Sequence, residues 1–111
     1  LISPFKTAIG LDYKAFELKL LAAIHRRFGL DAPLAQTVTQ WIKHADRIAA
    51  YYEATVLAGF SRHEAEKFFG TPQGLDQVLV THLEKLEALP TNEAQRRFHE
   101  RFSRLSAALV E

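Results

Sequence analysis

At 111 residues the chain has room for one domain, and 48% hydrophobic against 24% charged residues is the balance of a globular fold, not of a disordered tail. A formal net charge of +1 gives no broad electrostatic footprint for nucleic acid, and no apolar run approaches the roughly 20 residues of a membrane span. With zero cysteines there are no disulfides and no thiol chemistry. The opening Leu1-Ile2-Ser3-Pro4 lacks the basic flank and apolar stretch of a signal peptide, so the expectation is a soluble, cytoplasmic protein with no nucleic-acid and no membrane partner. No methionine occurs, not even at position 1. Cells rarely remove the initiator Met before a residue as large as Leu, so further residues are expected upstream of this chain.

Apolar spacing between the Gly and Pro breakers is helical throughout, which predicts an all-α fold. Residues Leu1 to Leu11 read as irregular, with a turn at Ser3-Pro4 and a breaker at Gly10. Phe16, Leu20, Leu21, Ile24 and Phe28 then predict a helix from about Tyr13 to Phe28, capped by Asp12 and stopped by Gly29. The longest helix is expected from Pro33 to Leu57, with an apolar stripe of Leu34, Val38, Trp41, Ile42, Ala45, Ala49, Tyr52 and Val56. Ser61-Arg62-His63-Glu64 is a capping box that opens a short helix closed by Gly70. Leu75, Leu79, Leu83 and Leu86 predict a helix from Leu75 to Leu89, broken by Pro90. A second capping box, Asn92-Glu93-Ala94-Gln95, opens a last helix expected to bury Ala94, Phe98, Phe102, Leu105 and Leu109. Its outer face carries Glu93 before Arg97 and Glu100 before Arg104, both in the favourable i,i+4 order.

Few residues here are arranged for chemistry. There is no Gly-rich phosphate loop, and no two histidines lie three or four apart, so no helix face offers paired imidazoles to a metal. Asp46 is the exception. It falls inside the long helix at the border of the apolar stripe, one turn from Ile42, Ala49 and Ala50. Asp is a weak helix former in such a place, and a carboxylate approaching a core requires neutralisation. A border salt bridge and a metal ligand both meet that requirement.

Ile42-Lys43-His44-Ala45-Asp46-Arg47 resembles the last signature of the HD-domain phosphohydrolases, in the branch that includes bacterial 5′-deoxynucleotidases. Ser3-Pro4-Phe5-Lys6 resembles the Pro-containing segment that follows that family's His-Asp motif, and Tyr13-Lys14-Ala15-Phe16-Glu17 resembles its Tyr-Lys-Ala-x-Glu helix start. The three matches fall in the family's order across about the first half of the chain; beyond Gly59 only a general helical tail remains comparable. The resemblance implies an HD-type helical bundle, of which residues 1–111 are the later helices of a single domain. It also implies a divalent metal ion as cofactor and a nucleotide-like phosphomonoester as substrate. Asp46 would be the final metal ligand, and Lys43 and Lys6 would lie near the substrate phosphate.

The family's remaining ligands are a His and a later His-Asp pair. None of the five histidines is followed by Asp: His25 precedes Arg26, His44 Ala45, His63 Glu64, His82 Leu83 and His99 Glu100. The resemblance puts the His-Asp pair upstream of Leu1, so no catalytic residue is assigned in this chain and the segment by itself is expected to be inactive. The long helix would then be central, with upstream helices covering its Asp46 side. Self-association into a homo-oligomer is a further expectation. The rival reading is a non-enzymatic helical module that docks a partner or senses a ligand for a regulator.

Overall fold

The computed structural model describes residues 11–110, with side chains for 13–108. Five α-helices and one π-helical turn make up its regular structure, and no strand occurs among the described residues. The helices are α1 (Leu11–Arg27), α2 (Gln36–Tyr52), α3 (Arg62–Phe69), α4 (Gln77–Glu84) and α5 (Thr91–Val110), with the π turn at Glu53–Leu57. No helix among the described residues is long and apolar enough to cross a membrane. The chain divides into two compact units, Leu1–Ala45 and Asp46–Glu111, and the division falls within α2.

In the first unit, α1 begins at Leu11, so Asp12 lies within its first turn and does not precede it. Its end is set by Gly29 at φ 73°: the Gly29 N–H donates to the Arg26 carbonyl at 3.1 Å and the Leu30 N–H to the His25 carbonyl at 2.8 Å. This pair of bonds satisfies carbonyls that a helix end leaves unused, and only glycine adopts that φ without strain. The α2 helix starts later than the Pro33 expected, because its first bond runs from the Thr39 N–H to the Ala35 carbonyl. Leu34 therefore stays outside it.

The second unit begins with the rest of α2, which does not continue as an α-helix to Leu57. At Glu53 it widens, and the Ala58 N–H reaches back five residues to the Glu53 carbonyl at 3.0 Å. The Thr55 hydroxyl donates to the Tyr51 carbonyl at 3.0 Å, a back-bond of the kind that bends helices. The Ser61 box forms as read: the Glu64 N–H donates to Ser61 Oγ at 3.1 Å and the Ser61 N–H to Glu64 Oε2 at 2.9 Å. Asp76 caps α4 through the Leu79 N–H at 2.8 Å. That helix stops at Glu84, short of the Leu89 expected, as the Lys85 and Leu86 N–H groups close tighter bonds onto His82 and Leu83. The second box does not form. The α5 helix starts at Thr91, with the Ala94 N–H donating to the Pro90 carbonyl, so Asn92 is already helical. Glu93 instead accepts from both Arg96 and Arg97, which hold its carboxyl down at about 2. Of the two predicted pairs, Glu93–Arg97 forms, while Glu100 pairs with Arg96 in place of Arg104.

A small core holds the second unit together. Tyr51, Tyr52, Ala54 and Ala65 are buried, and Ile48, Val56, Phe69, Leu75, Leu83 and Leu86 pack around them. The two tyrosine rings meet edge to face, 5.2 Å between centroids. The apolar faces of α1 and α5 are where the sequence places them, but they stay largely exposed. Phe16, Leu20, Leu21, Ile24 and Phe28 on α1 are exposed, as are Phe98, Phe102 and Leu105 on α5. Trp41, assigned to the α2 core stripe, is 67% exposed. Leu109 lies outside the described side chains. An amphipathic pattern specifies which face avoids water, not which surface meets it.

Apolar patches beyond a few hundred Å² are rare on stable monomers. The 111-residue chain by itself is therefore expected to self-associate or to fold only marginally. Light scattering with a thermal melt checks this, and a compact monomer with a sharp cooperative transition would contradict it.

Candidate functional site

Asp46 sits in the interior of α2 with its carboxylate exposed. No ion pair or side-chain hydrogen bond to Asp46 occurs among the described residues. Exposed to water, the carboxylate does not meet the core that its place at the border of the stripe predicts, and the border salt bridge is not made among the described residues. Lys43, one turn earlier, is also exposed, and so is His44, whose direction on the helix differs from that of Asp46. Glu53, two turns on, opens the π turn and points to solvent. Lys6 and the Ser3–Lys6 segment lie outside the described residues.

A divalent cation needs several oxygen or nitrogen donors at once, and Asp46 offers one carboxylate of the right hard-oxygen type. No three His, Cys, Asp or Glu side chains come together among the described residues. The residues present thus do not fit a metal site by themselves.

Each unit carries a cavity with a distinct lining. In the first unit, a groove of about 550 Å³ runs between α1 and the start of α2, with Leu18, Leu21, Leu34 and Ile42 on its walls and Lys43 at its edge. Its walls are mostly apolar, with exposed Leu18, Leu21 and Ile42 among them. In the second unit, a pocket of about 410 Å³ is framed by the end of α2, the π turn, α3 and α4. Tyr51, Tyr52, Arg62, Glu66 and Glu84 line it. Burial pushes the Tyr52 phenol above its ordinary pKa, and the negative charge of Glu84 adds to the shift. Sequence spacing offers no sign of this pocket, because its walls come from positions more than thirty residues apart on three helices.

No family model matches the chain. Comparison with curated proteins finds an uncharacterized protein of Rhodobacter capsulatus that is 46% identical over 83 residues. The match takes in 75% of this chain but 41% of that protein, so the chain spans well under half the length of its relative.

Proposed function

We propose that this chain is the later part of an HD-type helical domain, in a divalent-metal-dependent phosphohydrolase that acts on a nucleotide-like phosphomonoester. Asp46 carries the reading: a helix-interior carboxylate, exposed and without a partner among the described residues, in the context Ile42-Lys43-His44-Ala45-Asp46-Arg47. In the full protein Asp46 would join a His and a His-Asp pair from outside this chain. A divalent metal, held there with those outside residues, would supply Lewis-acid chemistry for phosphomonoester hydrolysis. Two observations support a larger assembly of helices: the uncovered groove of the first unit, and a relative of which this chain spans 41%. The test is metal content and phosphomonoesterase activity of the full protein, together with the residues encoded upstream. A His followed later by His-Asp supports the enzyme. A helix-turn-helix pattern there supports the regulator, whose docking face would be the apolar groove.

Lys43 and Lys6 would stabilise negative charge on the phosphate in the transition state. Lys43→Ala and Lys6→Ala are each expected to lower kcat/KM for nucleoside monophosphates, on the order of 100-fold for a lysine in direct contact. Unchanged kinetics in both variants would assign the two lysines to the surface.

A further inference from the structure

Neither Asp46 nor Lys43 lines the pocket of the second unit. Its volume of about 410 Å³ falls in the ordinary range for small-molecule sites. Its chemistry is set by what reaches the opening. Tyr51 and Tyr52 are only 7% and 8% exposed, and their rings are turned edge to face against each other. Ring faces packed in this way are not offered for stacking a base. Neither phenol oxygen hydrogen-bonds a described residue, and no described side-chain polar atom is both buried and unpartnered. Both hydroxyls therefore keep some contact with solvent, and both residues line the pocket.

The charged groups around them are unused as well. Arg62 and Glu66 stand four apart on α3, a spacing suited to an ion pair, yet no ion pair joins them. The order, with the cation nearer the helix start, is the weaker of the two orientations. Glu84, from α4, likewise forms no ion pair among the described residues. The pocket thus presents one guanidinium, two carboxylates and the hydroxyls of Tyr51, Tyr52 and Thr71, while the Thr55 hydroxyl is committed to the Tyr51 carbonyl. A simple anion would face two carboxylates, and a simple cation would leave the guanidinium unanswered. A molecule bearing both signs a few bonds apart answers all of them.

We propose that this pocket binds a small zwitterion of the α-amino-acid type, with its carboxylate on Arg62, its ammonium held by Glu66 and Glu84, and the Tyr51 and Tyr52 hydroxyls completing the hydrogen bonds. The proposal stands independently of whether Asp46 holds a metal. It identifies a ligand class by charge layout, and the pocket size limits that ligand to a single small molecule.

Calorimetric titration of the full protein with the twenty proteinogenic α-amino acids, each beside its N-acetyl form and its carboxamide, tests it. At least one free amino acid is expected to bind at one per chain, with each blocked form weaker by about tenfold or more. Arg62→Ala should weaken the free amino acid but leave its carboxamide unchanged, and Glu84→Gln should weaken the free amino acid but leave its N-acetyl form unchanged. Tyr52→Phe keeps the buried ring, and should weaken binding while circular dichroism stays at the wild-type signal. Absence of binding by every free amino acid at about 10 mM overturns the proposal. So does a carboxamide or N-acetyl form that binds as tightly as its parent, which would mark a site for a simple cation or a simple anion.

Discussion

In the full protein, Asp46→Ala is expected to abolish stoichiometric binding of divalent metal and phosphomonoesterase activity while helicity stays at the wild-type level. The two halves of this result come from the same position. Asp46 is exposed and makes no ion pair or side-chain hydrogen bond among the described residues, so its removal breaks nothing that holds α2 together. Alanine is the best helix former and aspartate one of the poorer ones, so α2 gains up to about 0.7 kcal/mol. Lost metal in this variant therefore cannot be ascribed to unfolding. Changes one shell further out already cost 10–100-fold in metal affinity, so loss of a ligand itself should cost at least about 100-fold. The 111-residue chain by itself should bind such ions only weakly, since one carboxylate does not make a coordination sphere. Elemental analysis and a phosphate-release assay decide the matter. Stoichiometric metal with normal turnover in the variant would end the reading of Asp46 as a ligand.

The core of the second unit should respond just as sharply. Tyr52→Ala is expected to cost about 3–5 kcal/mol, the range for deleting a buried aromatic ring. Its ring packs against Tyr51 in a core whose other buried members among the described residues are the small Ala54 and Ala65, so the ring fills much of the space between the surrounding half-buried side chains. Against a typical stability of about 5–15 kcal/mol, that loss takes a large share. Ala65 is 0% exposed, and Ala65→Leu should cost about 1–3 kcal/mol by forcing atoms into the same space. Tyr52→Phe, by contrast, should melt close to wild type, because the lost hydroxyl bonds no described residue. Urea denaturation of the three variants in the full protein gives the ranking, and a Tyr52→Ala midpoint equal to that of Tyr52→Phe would contradict the packing described.

All five helices are written in local chemistry. Gly29, the Ser61–Glu64 box and Gly70 punctuate them where spacing and breakers predict, since caps and stops act over a few residues, whereas α4 ends at Glu84, before Pro90 is reached. Burial was legible only in part. The stripe includes Tyr52, which is buried, but not Tyr51 or Ala54; Ala54 lies in the π turn, where a stripe counted on an unbroken α-helix loses its phase. Trp41 and Phe98 were assigned to cores and stand exposed, because an apolar face is a property of one helix whereas burial needs a second surface. Asp46 lies inside α2 as the spacing predicts, but it faces water and not the border of a core. The Arg62, Glu66 and Glu84 pocket was not legible, since each of those residues looks like ordinary surface charge until the chain has folded.

The π turn at Glu53–Leu57 amounts to one surplus residue threaded into a helix without lengthening its path in proportion. An α-helix advances about 100° per residue, so whatever follows Leu57 leaves the helix out of phase by roughly that angle. Excising a single residue there would restore the phase and rotate the Ser61 box, and α3 after it, to another azimuth. The direction in which α3 departs is thus encoded as an insertion, invisible to any periodicity counted on one side of it.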